Sequence, residues 1–597
     1  MTHLNKIYIL LFILLFVGCQ DDFLEVTPSD RFSDAAVWKD PALISAFVNN
    51  IYNGQHHAFQ TEMLSSLCDE SMDVWGWETQ PVLKGDINSS YLAVLAPNHW
   101  TGDYYKLSWN SLYINIRACN LFFENIEESG LESDEINKLK GEVHFMRGYF
   151  YFWLMSFWGG VPVVDEALSP SDDFLLPRNT LEETVNFIVA ECDAAAELLP
   201  VEGDKSRATK GAALTLKSRV LLYAASDLFN SNASWSPGYS NPELVSYPGS
   251  DRSARWQAAK DAAKAVIDLG VYQLYGGTNP GSTEEAIQNY INIFLNNGTE
   301  EDIFLSFFDH ANNSGAWDNP NVGLFNCPNG WENWGGNTPI GQLVDDYEME
   351  DGTKFDWNDP VQAAAPYENR DPRFYANVLY DGAYWKQRPA STSSYDPEGK
   401  VQTGYYEQQD GSVIPGLDTR QGPVQDWNGT YTGYYTRKFI DPALDHTPTN
   451  MQKYPWRQMR YAEVLLNYAE ACLELGEEDE AKTYMNMIRE RAGMPDVPGS
   501  ESGDELMERY RNERRIELCY EQHRYFDIRR WMIAPEAITP AQGVNIVYPY
   551  GSESPTYTLT EVQDRGWNDN KTYLLPILLD ELNRNDQLIQ NPGYINQ

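Results

Sequence analysis

The chain is poor in the residues from which most active sites are made. Its 597 residues include only eight His, with no His-Glu-x-x-His pair. Its seven Cys show no Cys-x-x-Cys spacing, so neither a zinc site nor a redox pair is indicated. There is no Gly-x-x-x-x-Gly-Lys cradle for phosphate and no Gly-x-Ser-x-Gly elbow. Tyr347 to Asn358 comes nearest to a calcium loop, but Tyr347 and Met349 stand where oxygen ligands are needed. No cofactor, no metal and no catalytic residue are therefore assigned. Paired carboxylates for glycoside hydrolysis stay open, because acids are everywhere. Cations are scarce: 44 Lys and Arg face 87 Asp and Glu, a formal net charge of −43. Such a polyanion repels nucleic acid, and it disfavours polyanionic glycans.

The only long apolar run is Ile7 to Val17, too short for a comfortable membrane span. With Lys6 before it, residues 1–18 read as a secretion signal. The run ends in Phe16-Val17-Gly18-Cys19, which resembles a bacterial lipobox with Phe where Leu is usual. Cys19 would then be lipidated, and residues 19–28 would form a tether to the membrane. Cys119, Cys192, Cys472 and Cys519 lie in helical patterns as small buried apolar residues, and a disulfide is left open.

What the chain has in plenty is helical periodicity at both ends. Tyr461, Val464, Leu465, Tyr468, Ala469, Cys472 and Leu475 recur at steps of three and four, with Glu463, Asn467, Glu470 and Glu474 opposite. Gly476 follows as a C-terminal cap, and Ala481, Tyr484, Met485, Ile488 and Ala492 repeat the pattern. This predicts a helical hairpin similar to a tetratricopeptide unit. Further helices are expected over Trp38 to Tyr52, from near Asp103 to Ile126, from Ile136 to Trp158, and over Leu181–Leu199, Ala208–Phe229 and Arg255–Leu269. The aromatics from Phe145 to Trp158 read as core.

Leu506, Tyr510, Glu513, Glu517, Tyr520 and Arg524 share one face of a third C-terminal helix. Two carboxylates in an apolar stripe could be a general acid/base pair. The preferred reading is an internal ion-pair network that fixes helix packing, with Arg514, Arg515, Arg529 and Arg530 nearby.

The segments RYAEVLLNYAEACLELG, ERRIELCYEQHRYFDIRRW and LIQNPGY resemble the C-terminal half of the SusD/RagB family. The helix leading to Gly159-Gly160-Val161-Pro162 is similar to that family's N-terminal half, and Asn583 to Tyr594 to its terminal strap. Where the family reads Glu-Gly, this chain has Glu521-Gln522. Gln20-Asp21-Asp22 resembles the Bacteroidetes signal for surface export. The resemblance implies a mainly α fold, a superhelix of tetratricopeptide-like hairpins with long loop-rich insertions and a few short strands. It also implies an outer-membrane lipoprotein facing the cell exterior. Such a protein captures glycan without catalysis and hands it to a SusC-like TonB-dependent transporter. A peptide receptor of the RagB branch and a surface glycoside hydrolase are the alternatives. Beyond the tether, residues 29–597 are expected to form one SusD-like domain. Its helical halves span about 29–270 and 453–597, and a loop-rich ligand region spans about 271–452.

That middle region is dense in Gly, Pro, Asn and Asp, and the runs Glu301–Phe308 and Tyr431–Phe439 fit short strands. Aromatics are 13% of the chain, with 18 Trp and 37 Tyr, many of them in loop-like sequence. An aromatic ring can bury the C–H face of a sugar while polar neighbours take its hydroxyls. Trp75 and Trp77 flank Gly76, and Trp331 and Trp334 lie in a second Gly-rich loop. These four are expected to converge on one exposed platform. Asp73, Glu78 and Asn333 would bond sugar hydroxyls, and Trp317, Trp357 and Trp427 are next in line.

Overall fold

A computed structural model describes residues 37–59, 62–77, 79–92, 106–249, 251–308, 321–424, 427–448 and 450–594. The expected signal, Cys19 and the expected tether lie outside them, as do Glu78 and Trp317.

The N-terminal half is a run of packed helices. These are α1 (Pro41–Tyr52), α2 (Trp109–Asn125), α3 (Ser133–Trp158), α4 (Leu181–Leu198), α5 (Lys210–Ala225) and α6 (Arg252–Ile267). Each from α2 to α6 packs on the next. Their starts are encoded locally. At α4, Thr180 Oγ1 accepts from the Glu183 amide at 3.1 Å, and the Glu183 carboxylate accepts from the Thr180 amide at 2.9 Å. That reciprocal box satisfies two N–H groups the helix leaves unpaired. At the end of α3 the Gly159-Gly160 exit is a steric need. A Cβ on Gly160 would lie 2.3 Å from the Asn179 carbonyl oxygen.

α8 (Tyr461–Glu474) and α9 (Glu478–Arg491) form the expected hairpin, with Gly476 at φ +78 between them. α8 packs directly on α6, so the helical stack continues across the whole inserted middle. Its polar side, however, does not face water. Glu463, Asn467 and Glu470 are buried, because arginines from other helices reach in to pair with them. Arg219 binds Glu463 through two bonds of 2.6 Å, Arg514 donates to Asn467 at 2.9 Å, and Arg530 pairs with Glu470.

α10 (Gly503–Glu517) is shorter than its stripe suggested. Tyr520 and Gln522 take left-handed backbone, at φ +63 and +72, and break the helix before α11 (His523–Arg530). Tyr520 and Arg524 therefore do not continue the α10 face. The left-handed turn that glycine would favour survives at Gln522. Gln522 Oε1 and His56 Nε2 lie 2.6 Å apart, a contact that a glycine could not make.

The middle region is more ordered than its composition suggested. It holds α7 (Thr283–Phe294), whose amphipathic face packs on a short helix, Pro372–Asn377. It also supplies most of a second apolar core, in which Trp331, Trp385, Tyr434 and Tyr435 are buried with Ile291 and Phe294, and which Phe59 and Tyr520 join from outside the region. The strand β2 (Asp302–Ser306) pairs antiparallel with β6 (Trp456–Arg460). Of the run Tyr431–Phe439 only Tyr435–Thr436 is strand, paired with Val378–Leu379. The sequence gives no sign of a further hairpin, β7 (Ala541–Tyr548) with β8 (Thr556–Gln563). It is extended by β4 (Tyr405–Glu407) and β5 (Val413–Pro415) into the order β8-β7-β4-β5. The terminal strap crosses the end of α3, where the Asn591 amide donates to the Trp158 and Leu575 carbonyls. Among the described residues no helix is long and apolar enough to cross a membrane, and six cysteines are buried thiols.

Candidate functional site

Two short strands bring the two tryptophan loops together. β1 (Ser71–Asp73) pairs antiparallel with β3 (Asn337–Pro339), and the pairing runs on as the Val74 amide donates to the Gly336 carbonyl at 2.9 Å. The strands end just before Trp75 and begin just after Trp334. The two indoles meet edge to face, with centroids 6.0 Å apart and planes at 83°. A Cβ on Gly336 would sit 3.0 Å from the Trp75 ring, so glycine there permits the close approach. Gly76 turns the chain at φ +70 and leaves Trp77 83% exposed. Trp75 and Trp334 are half-buried.

The other three residues of the expected site point inward. Trp331 is only 5% exposed. Its indole donates to the Gln387 carbonyl at 3.2 Å, and the Arg388 guanidinium lies 3.7 Å over its ring. The Asn333 amide is buried and donates to the His446 carbonyl at 2.8 Å. Asp73 is buried beneath the first loop. It accepts from the Trp75 and Gly76 amides at 3.1 and 2.7 Å and from the Thr79 hydroxyl at 3.3 Å. Burial pushes its carboxyl up to about 6, against the pull of those donors. These side chains shape the loops, and in this arrangement none of them is presented to a sugar.

A third segment joins the surface. The backbones of Gly335 and Gly429 touch: a Cβ on Gly335 would lie 3.3 Å from Gly429 Cα. Two residues to either side, Trp427 is 57% exposed and Tyr431 43% exposed, with Arg420 4.2 Å over the Tyr431 ring. The sequence places Tyr431 in a strand, but the strand here is Tyr435–Thr436 alone. The exposure of Tyr431 follows from the turn at 430–433, which periodicity does not reveal.

Glu513 and Glu517 lie far from solvent in a charge cluster. Arg373 and Arg489 donate to Glu513 at 2.5 and 2.9 Å. Arg460, Arg491 and Arg373 donate to Glu517 at 2.7, 2.5 and 3.2 Å. Burial pushes both carboxyls up, but the guanidinium groups outweigh it and hold both below the usual range. Groups so fixed as anions, with every oxygen bonded, serve packing. Arg524, which the sequence placed on this stripe, pairs instead with Asp69 at 2.7 Å.

The fold is thus a helical superhelix that carries paired aromatics on inserted loops. A model of the SusD family matches residues 300–594, and one described as starch-binding, associating with outer membrane, matches residues 22–222. A SusD-like protein of Bacteroides fragilis, solved by crystallography, is 30% identical with a TM-score of 0.74, covering 94% of this chain and 99% of its own. A SusD-like protein of Formosa agariphila is 24% identical over 92% of this chain and 96% of its own. A laminarin-binding SusD-like protein shares the fold at 20% identity and a TM-score of 0.61, covering 93% of this chain and all of its own. The chain belongs to the SusD family.

Proposed function

We propose that the protein captures neutral oligosaccharide at the bacterial cell surface and passes it, unaltered, to a TonB-dependent transporter. The observation that carries this reading is the convergence of Trp75 and Trp334 beside the exposed Trp77, in a member of the SusD family. Offset aromatic faces at a surface bury the C–H face of a sugar ring, and a few such anchors supply most of the affinity. The laminarin-binding relative and the starch-binding name of the N-terminal family model support glycan as the ligand class. Cys19 would hold the protein at the outer membrane, and Trp427 would extend the aromatic surface. The strong negative charge favours neutral over anionic glycans.

An affinity screen of the purified protein over glycans and peptides tests this. Micromolar or tighter binding to a neutral glycan, with no new reducing ends on incubation, is expected. Binding confined to peptides contradicts the reading, and so does release of reducing ends.

A further inference from the structure

Beside the aromatic loops lies a groove of about 180 Å³. Its floor is the four-stranded sheet: Tyr405 on β4, Val544 and Asn545 on β7, and Thr560 on β8. Its wall is formed by Thr419 and by the turn carrying Thr430 and Tyr431, which bridge to one another. That wall is held firmly. Thr430 Oγ1 accepts from the Thr432 and Gly433 amides at 2.9 and 3.1 Å, and the Val544 amide donates to the Thr432 carbonyl at 2.9 Å. The Tyr405 hydroxyl donates to Gln421 at 2.7 Å, which fixes that ring.

The chemistry of the lining is selective. No Asp, Glu, Lys or Arg lines the groove, although the chain carries a formal charge of −43. Two phenol rings offer apolar faces, while Asn545 and Thr560 stand exposed on the sheet as hydroxyl partners. At roughly 30 Å³ per water the groove has room for about six, the scale of one sugar unit rather than a chain. Arg420 lies 4.2 Å over the Tyr431 ring, but no lining residue itself carries a charge, and a ligand with C–H faces and a rim of hydroxyls meets both kinds of surface. The groove is also continuous with the platform, since Trp427 and Tyr431 are carried by the same short segment, whose Gly429 touches Gly335 next to Trp334.

We propose that this groove is an additional subsite for a single uncharged sugar unit, stacked between Tyr405 and Tyr431 and bonded by Asn545 and Thr560. It rests on the glycan-capture reading, and it adds a place where a branch or terminal unit is read apart from the tryptophan platform. Preformed, rigid walls lower the ordering cost of binding so small a ligand.

Saturation-transfer NMR on the whole protein with glucose, galactose and xylose tests it. At least one of these should receive saturation. Tyr431→Ala should weaken that binding tenfold or more. Thr560→Val, a change of one hydroxyl at an exposed strand position, should weaken it several-fold at unchanged melting temperature. Absence of transfer from all three sugars overturns the proposal. So does a signal that Trp75→Ala abolishes and Tyr431→Ala spares, which would leave the platform standing without the groove. If the chain binds no oligosaccharide of any kind, the reading beneath the proposal falls with it.

Discussion

Trp75 and Trp334 come from loops far apart in sequence, yet their rings meet edge to face at 6.0 Å because β1 and β3 pair directly behind them. The contact is built by backbone pairing and by Gly336, which lets the rings approach, rather than by the indoles themselves. Removing one ring should therefore leave the loops in place. Stability and binding can be separated at this site.

Trp331 provides the contrast. It sits in the same loop as Trp334 but is buried under Arg388 in the core of the middle region. Trp331→Ala should destabilise the protein by about 3–5 kcal/mol, the range for emptying a buried aromatic site. Chemical denaturation read by fluorescence measures this. A Trp331→Ala variant as stable as the parent would place that ring at the surface.

Glu517→Gln should lower stability by about 3–5 kcal/mol, because it leaves Arg460, Arg491 and Arg373 short of a buried counter-charge. Ligand affinity should not change. Calorimetric melting together with a glycan titration checks both. A variant that melts normally yet fails to bind would give Glu517 a role in the site.

Acid should unfold the protein in part through Glu470. Burial pushes its carboxyl up, but Arg530 and Arg514, with the Trp531 indole, hold it down to about 2. A carboxyl lowered on folding contributes stability that is full above its unfolded value near 4.5 and is lost as pH falls through 2. A shift of this size is worth on the order of 3 kcal/mol. In Glu470→Gln the fall in melting temperature between pH 4.5 and pH 2 should be shallower than in the parent. Parallel curves for the two would contradict this.

Cys19→Ala should release the protein from membranes and abolish palmitate labelling. In mild detergent the parent should bring down a large β-barrel protein after crosslinking. Unchanged membrane partitioning of the variant would refute the anchor, and a monomer free of any barrel would refute the transporter partner.

Much of the helical frame was legible because its signals are local. Gly476 after α8 and Gly159-Gly160 after α3 each mark a boundary within a few residues. The charge cluster was legible too, since carboxylates on an apolar stripe need partners wherever they fold. What escaped depends on distant chain. The polar side of α8 reads as solvent-facing until Arg219, Arg514 and Arg530 arrive from other helices. The end of α10 is set by two left-handed residues, Tyr520 and Gln522, neither of them glycine. Within the site, Gly-rich context pointed to loops, but it could not say which face each side chain takes. Trp75 and Trp334 pack together at the surface, whereas Trp331, Asp73 and Asn333 turn inward to backbone partners.

The most direct test is calorimetric titration of one neutral glycan, chosen from the affinity screen, into the parent protein, Trp75→Ala and Trp334→Ala. Loss of an aromatic anchor commonly costs about 2 kcal/mol or more. Affinity should therefore fall roughly thirtyfold or further in each variant, at about 1.4 kcal/mol per tenfold, while the melting temperature stays close to the parent's. Parental affinity in both variants would show that the paired indoles are not where glycan is held.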